Sequence, residues 1–226
     1  MPTETFLKLR PDKRDRILAA AIEEFASHDF AGANLDRVAA GAGVSKGSLF
    51  QYFADKDDFY VYAVQAALEQ AWQLYRDDMA QCAPADCYEL LVETILSMAA
   101  LRKREPHLAT LYLRVVYAKD SHARDRLYAA FVARNREFFD RLIPWGLETG
   151  HIDPTLPEAI VRFHIHAAGS HLIYLLLSGD DPRWLPRRTK DLRAFVTHTV
   201  EVLARALAPK TRKSTRRTRS RKEAHR

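Results

Sequence analysis

Apolar residues recur at spacings of three and four along almost the whole chain, and no stretch alternates strictly between apolar and polar positions. Such spacings place side chains on one face of an α-helix, whereas alternation would favour a strand. The pattern therefore predicts an all-α fold. Prolines and glycines at 84, 106, 150–154 and 179–186 divide it. The predicted helices cover 12–28, two short segments between 34 and 53, and then about 55–81, 85–104, 106–118, 121–148, 157–178 and 189–208.

The stretch 34–56 predicts two short helices joined by a tight turn. Asn34 is a good N-cap for the first helix, Gly43 suits the turn, and Ser45 can cap the second. The positions predicted to face inward are Leu35, Val38 and Ala39 on the first helix and Leu49 and Phe53 on the second. The outer face of the second helix carries donors, acceptors and no acidic group, namely Lys46, Gly47, Ser48, Gln51 and Tyr52. A helix that enters the DNA major groove needs such a face.

Two segments flank this predicted helix-turn-helix. Residues 1–11 are predicted to be frayed, although Lys8 and Arg10 could lie along DNA as a basic arm. The helix 12–28 is predicted to brace the two short helices. Downstream, Asp55 is a plausible N-cap for the next helix. Asp57 and Asp58 would then lie in its first turn, where the helix dipole favours acidic side chains.

Charge is distributed unevenly over the 226 residues. The net charge is +6, but residues 209–226 alone contain nine Lys or Arg and one Glu, so the other 208 residues carry a net charge of −2. Bulk charge therefore gives the helix-turn-helix no support, and only the placement of its residues does. The tail, 209–226, is predicted to be disordered. It could be an extension that binds DNA non-specifically or a solvated end that aids solubility.

Several motifs follow one another between residues 14 and 60 in a fixed order. They are Phe25 at the end of the bracing helix, Phe30, Val38-Ala39, Ala42-Gly43-Val44-Ser45, Gly47-Ser48-Leu49-Phe50, Tyr52-Phe53 and Lys56. This order resembles the N-terminal signature of the TetR/AcrR family of transcriptional regulators. The resemblance implies an all-helical dimer with three parts: a three-helix DNA-binding domain (1–56), a helical ligand-binding and dimerisation domain (57–208) and the basic tail (209–226).

The resemblance also implies roles for individual residues. Ser45, Lys46, Gly47, Ser48 and Gln51 would lie at or near base edges. Tyr52, Lys56 and the helix N-terminus capped by Asn34 would hold phosphates.

The chain departs from the family pattern at three positions. Asp29 stands where a helix-ending glycine is common, Asn34 replaces a threonine, and Phe50 replaces a tyrosine. The first change puts a less comfortable backbone at the turn, and the third puts one phosphate contact in doubt.

The C-terminal helices indicate where a ligand and a second copy would bind. Aromatic and histidine side chains there predict a largely apolar cavity for a small molecule. The candidate lining residues are Trp72, Tyr75, Tyr112, Phe163, His164, His171 and Tyr174. The two final helices are the most apolar, and the small residues 167–170 would let another helix approach closely. These two helices predict half of a four-helix dimer interface.

Other chemistries compete with this interpretation. Residues 43–47 fit the G-x-S-x-G nucleophile elbow by letters, but that motif needs a strand before the turn, and residues 38–42 have a helical pattern. His164 and His171 share a helix face without an acidic or cysteine partner at chelating spacing. Cys82 and Cys87 match no zinc spacing, although a redox switch is conceivable. A hydrolase or binding protein with a structural helix-turn-helix remains the rival hypothesis.

The sequence thus predicts a ligand-responsive, DNA-binding transcriptional regulator and favours a repressor over an activator. It predicts no catalytic residues, metal or cofactor. Its expected partners are double-stranded DNA, a small largely apolar ligand and a second copy of the chain. No uninterrupted apolar run approaches the ~18 residues that a membrane span requires, and no signal peptide opens the chain. We therefore expect a cytoplasmic protein.

Overall fold

A computed structural model describes residues 1–117, 124–179, 183–186 and 189–210, and its described residues form helices without strands. The helices of the first half are α1 (Glu4–Leu7), α2 (Pro11–Ser27), α3 (Leu35–Ala42), α4 (Lys46–Tyr52) and α5 (Lys56–Ala80). Those of the second half are α6 (Cys87–Arg104), α7 (Pro106–Tyr117), α8 (Arg124–Glu148), α9 (Glu158–Ser178) and α10 (Thr189–Leu207). The all-α prediction is confirmed.

The N-terminal segment differs from its prediction. Residues 1–11 are not frayed, because α1 places Phe6 in the core with none of its surface exposed. The ring of Phe6 lies 4.9 Å from that of Phe53, and the Thr3 amide donates a 2.8 Å hydrogen bond to the carbonyl of Tyr52. One buried aromatic in an otherwise polar segment is too short a pattern to predict a helix, yet it ties the segment to the end of α4.

We call α1–α4 the head. Its core is aromatic and is completed by the start of α5: Phe25, Phe53 and Phe59 of α5 are almost fully buried, and the rings of Phe53 and Phe59 stack with their centroids 4.2 Å apart. The same buried cluster continues through α5 into α7 and reaches Leu127 on α8. A single hydrophobic core therefore crosses the predicted domain boundary at residue 56. The boundary stays a prediction about function.

A second core holds the distal half of the molecule together. It is built from buried side chains of α6, α8, α9 and α10, with Ile95, Leu142, Ile165 and Val196 at its centre. Helix α9 packs against α6, α7, α8 and α10. Helix α9 is also long and apolar enough to cross a membrane. The core helix of a soluble protein can have the same length and composition.

Candidate DNA-binding surface and ligand cavity

The start of α3 is fixed by a local network centred on Glu24. The Asn34 side chain accepts a hydrogen bond from the Asp36 amide at 2.8 Å, as predicted for an N-cap, while the Asn34 amide donates to Glu24 Oε1 at 2.7 Å. Arg37 donates to both oxygens of the same carboxylate. Glu24 is 7% exposed, and the bond from Arg37 lowers its pKa below the usual value. The buried charge thus has a partner and orients α3 on α2.

The turn between α3 and α4 follows its prediction. Gly43 has φ of 66°, the left-handed region that favours glycine at a helix end. Ser45 Oγ then accepts a hydrogen bond from the Ser48 amide at 3.1 Å and caps α4. Gly43 and Ser45 therefore set the angle at which α4 leaves α3.

The outer face of α4 is polar, exposed and free of acidic residues. Lys46, Gly47 and Gln51 are exposed and Ser48 is half-buried, whereas Leu49 packs into the core. Lys46 Nζ lies 2.9 Å from Asp36 Oδ2 on α3, and both side chains are exposed. Because exposed ion pairs contribute little to stability, a DNA phosphate or base could take the ammonium from Asp36 at small cost. Phe50 is 50% exposed on the same helix.

The prediction that Tyr52 lies on the outer face is wrong. Its side chain is 4% exposed, and its ring lies 5.8 Å from that of Phe6. Helix α1, which the sequence did not predict, covers the surface on which Tyr52 would otherwise lie open. A phosphate contact by Tyr52 stays untested, and what the structure shows is a packing role.

Lys56 also differs from a freely exposed phosphate ligand. Its ammonium donates a 2.6 Å hydrogen bond to the carbonyl of Ala33 and lies 4.9 Å from the ring centroid of Phe30. The lysine thus holds the loop between α2 and α3. Its DNA contact stays a prediction, and DNA would have to compete with these partners.

Asp29, which stands where the family often has a glycine, does not strain the backbone of its loop. No described residue other than glycine has a positive φ. Instead, Asp29 Oδ1 accepts a 2.7 Å hydrogen bond from the Gly32 amide, which closes the turn through the side chain. The strain expected at this position is therefore absent.

A small enclosed cavity of about 50 Å³ lies between α5, α6, α7, α8 and α9. Three predicted lining residues meet there: Trp72 and Tyr75 from α5 and Tyr112 from α7. Burial raises the pKa of both tyrosines, so they present neutral hydroxyl groups. Gly169 of α9 also lines the cavity. It leaves room there, and a methyl group added to it would lie 3.5 Å from Leu91 Cδ1 of α6; the close approach of a helix from a second copy stays a prediction.

The cavity adjoins a wider, more open groove of about 820 Å³ between α7, α8 and α9. The two spaces share Tyr112, Phe139, His166, Ser170 and Ile173. Phe163, another predicted lining residue, is 66% exposed in the groove wall. At the mouth, Arg162 Nη2 lies 3.0 Å from Asp140 Oδ1 and 2.7 Å from Glu158 Oε1. The guanidinium charge is thus already balanced within the protein.

The remaining predicted ligand residues lie elsewhere. His164 is exposed, hydrogen-bonds the carbonyl of Ile160 at 2.8 Å, and lines neither space. His171 is exposed beside Tyr174, and Tyr174 lines a separate groove with Arg114 and Tyr117. Neither His164 nor His171 lines the cavity or the adjoining groove, so the structure does not place them with Trp72 and Tyr75, and their ligand contacts stay predictions.

His166 is the cavity residue that sequence reasoning missed. It lines both spaces, and its ring lies 3.4–3.5 Å from Ser170 Oγ one turn later. Of the three histidines on this helix, it alone has a small polar residue four positions on, a signal that could have been used.

Comparisons with known proteins agree with the geometry of the head. The profile described as "Bacterial regulatory proteins, tetR family" matches residues 17–63, which begin in α2 and end in α5. The HTH-type transcriptional repressor AcnR of Corynebacterium diphtheriae is 26% identical over 179 residues, which cover 77% of this chain and 86% of AcnR. Residues 17–63 are therefore a TetR-family DNA-binding domain.

Solved structures extend the likeness to the distal half. A TetR-family regulator from Chloroflexus aurantiacus superposes with a TM-score of 0.60 at 25% identity and covers 92% of this chain and 99% of its own. FadR from Bacillus subtilis, solved in complex with stearoyl-CoA, gives a TM-score of 0.63 at 19% identity over 84% of this chain and 97% of its own. At 19% identity, the likeness to FadR supports a shared fold and nothing about ligand or function. The TetR-family architecture therefore spans both cores.

The match to the TetR family agrees with the conclusion that residues 43–47 do not form a nucleophile elbow. Residues 43–45 lie between α3 and α4 and residues 46–47 begin α4, so a helix and not a strand precedes Ser45, and its hydroxyl is used as a helix cap. TetR-family proteins are DNA-binding regulators and not enzymes.

Two arginines connect the helices that line the cavity and the groove to the head. Arg114 of α7 donates to the carbonyls of Phe25, of Ala26 at 3.0 Å and of His28 at 2.7 Å, where α2 ends. Arg126 of α8 lies 2.8 Å from Asp57 Oδ2 and 3.3 Å from Asp58 Oδ1, where α5 begins. Helices that line the cavity and groove are therefore bonded directly to the brace of the head and to the helix that follows α4.

Proposed function

We propose that this DNA-binding transcriptional regulator is a ligand-responsive repressor that acts as a homodimer in the cytoplasm. The single observation that carries its DNA-binding part is the exposed, acid-free face of α4 on a head whose helix ends are capped. Two copies would place α4 in successive major grooves of an inverted repeat. Repression is supported by the likeness to AcnR, which is named as a repressor.

Lys46, Gly47, Ser48 and Gln51 are the proposed base-reading residues, with Asn34 and Ser45 positioning phosphates through their helix ends. Substitution of Lys46 or Gln51 by Ala should cost about 1–3 kcal/mol of specific DNA binding each if the lost contact is bidentate. Asp77→Ala, an exposed change on α5 far from α4, is the matched control.

The experiment is a fluorescence-anisotropy titration of the chain's own promoter against random DNA at moderate salt. A preference for the promoter that is lost in K46A and Q51A supports the proposal. If the wild-type chain binds the promoter no more tightly than random DNA, the proposal is wrong.

The dimer is proposed to form through α9 and α10. Ile160 and Phe163 on α9 and Val202 on α10 are large apolar side chains that are 46–66% exposed. Ile160 and Phe163 stand three positions apart on one face of α9, and contiguous exposed apolar groups mark interaction surfaces. Val202→Glu should give a monomer in analytical ultracentrifugation. A dimer that persists in V202E and in I160E would place the interface elsewhere.

The ligand is proposed to enter the groove and reach the enclosed cavity. Trp72, Tyr75, Tyr112 and Phe163 would contact it, together with His166 and Ser170. The buried polar groups are neutral hydroxyls, and Arg162 is already paired, which favours a mostly apolar, uncharged molecule.

Coupling to DNA would then pass through the Arg114 and Arg126 contacts. A ligand that moves α7 or α8 would shift α2 and the start of α5, and with them the spacing of the two α4 helices. Such coupling is typically ~1–3 kcal/mol and requires different ligand affinities for the two spacings. Thermal-shift screening of uncharged aromatic and aliphatic compounds, followed by release of operator DNA, tests both parts.

A further inference from the structure

A groove of about 570 Å³ runs between α6 and α10 at the end of the molecule farthest from the head. Its walls are formed by one face of each helix and by the loop after α8, with Tyr88, His151 and Val200 among its lining residues. None of the residues assigned above to DNA, ligand or dimer contacts lines it.

The groove is acidic. Its lining includes Asp86, Glu89, Glu93 and Glu201 but only two arginines, Arg193 and Arg205. Arg193 is paired with Glu93, because its guanidinium donates to both carboxylate oxygens at 2.5 and 2.9 Å. Arg205 Nη2 lies 3.7 Å from Glu201 Oε2, so four carboxylates face two guanidiniums and the groove keeps an excess of two negative charges.

The pKa values of two nearby cysteine thiols are raised in part by the same kind of acidic neighbours. The pKa of the Cys82 thiol is raised by burial and by the nearby carboxylates of Glu93 and Asp78. The pKa of the buried Cys87 thiol is raised by burial and by Asp86 to about 11. The region therefore favours cations.

The chain leaves the described structure at the edge of this groove. Ala204, Arg205 and Ala208 line it, and the carbonyl of Leu207 accepts a 2.8 Å hydrogen bond from the Asp153 amide. Hydrogen bonds from Thr155, with a further contribution from Lys210, lower the pKa of Asp153. Lys210, the last described residue, is thus already next to an acidic group.

Sixteen residues, 211–226, follow this point and contain eight Lys or Arg and one Glu. A coil of that length has a root-mean-square span of about 20–24 Å. Helix α5, with 25 residues, separates the head from the groove end by about 37 Å. The basic segment starts beside the groove, and the DNA-facing helix lies beyond its usual reach.

We propose that the basic segment 211–226 docks in the acidic groove between α6 and α10 of its own protomer. Asp86, Glu89 and Glu201 are the anchoring carboxylates. The contact is electrostatic, depends on salt, and holds the segment away from DNA bound at the head.

The test uses the full-length protein and carbodiimide cross-linking at low salt, with the products mapped by mass spectrometry. Lys213 and Lys222 should cross-link mainly to Asp86, Glu89 and Glu201, and 0.5 M NaCl should remove these products. In Glu89→Gln/Glu201→Gln the remaining cross-links to Asp86 should fall several-fold. The matched control is Glu4→Gln/Glu69→Gln, two exposed acids outside the groove, which should leave the pattern unchanged.

Two further measurements separate this proposal from its rivals. Trypsin should cleave after Arg216 several-fold faster in the groove variant than in the wild type or the control. Deleting 211–226 should leave the salt dependence of DNA binding unchanged. Cross-links spread evenly over surface acids, cross-links between differently labelled protomers, equal cleavage rates, or a salt slope reduced by the deletion would each overturn the proposal.

Discussion

The head and the ligand cavity differ in where their polar contacts come from. In the head, Asn34 caps α3 through an amide two residues on, and Ser45 caps α4 through an amide three residues on. In the cavity, Tyr75 of α5 meets Thr94 of α6 at 3.3 Å, and His166 joins them from α9. Local sequence therefore determines where the short helices of the head begin, whereas the cavity depends on how distant helices pack.

The largest expected effect would test whether the head depends on its aromatic core. Phe53→Ala should lower the free energy of unfolding by about 3–5 kcal/mol, because it removes a ring stacked on Phe59. Phe50→Ala, three residues earlier and 50% exposed, should change it by less than about 0.5 kcal/mol. Urea denaturation measures both. Similar losses in the two variants would show that the head is not built around this core.

The next effect concerns the contact that joins the two regions. Arg114→Ala should destabilise the protein by about 1.5–3 kcal/mol, since three carbonyls at the end of α2 lose a charged donor. It should also weaken the release of operator DNA by ligand. Lys103→Ala, an exposed change on α6, is the control. Full stability with intact ligand response in R114A would remove Arg114 from the coupling route.

A pH titration tests the local network of the head. The folded-state pKa of Glu24 is lowered by Arg37, so its contribution to stability is present at neutral pH and is lost as the pH falls from about 5 through the lowered pKa. Glu24→Gln should cost about 1–3 kcal/mol at pH 7. It should also reduce the loss of stability on acidification. An unchanged pH profile would mean that other carboxyls, such as Asp78, account for the effect.

The smallest effect distinguishes two histidines on α9. His166→Ala should weaken ligand binding by about 0.5–1.5 kcal/mol, because His166 lines both the cavity and the groove. His164→Ala should leave it unchanged, since that ring hydrogen-bonds the carbonyl of Ile160 at the surface. Isothermal titration with a compound from the thermal-shift screen compares them. The reverse order would restore the assignment made from the sequence.

These contrasts explain how far the sequence could be interpreted. Asn34, Gly43, Ser45 and Asp55 could be assigned as caps or turn residues because each acts within three residues of itself. Tyr52 could not be placed, because what buries it is Phe6, 46 positions earlier in the chain.

The cavity was predicted only in part for the same reason. Trp72 and Tyr75 were found because aromatic side chains in a long helix of a ligand-binding family are plausible lining residues. Which of His164, His166 and His171 faces α7 depends on the rotation of α9 about its axis. A helix that is apolar on most of its surface does not encode that rotation in its periodicity.

Gly169 has a consequence for how such a regulator can change over evolution. A methyl group there would lie 3.5 Å from Leu91 Cδ1, an ordinary contact, and alanine would also strengthen the helix by roughly 0.5–1 kcal/mol. The same methyl would occupy part of the small cavity. Selection for heat resistance alone should therefore reach Gly169→Ala early and yield a sturdier protein that responds poorly to its inducer. Under the proposed function, sensitivity to the small molecule would favour the weaker residue at this position.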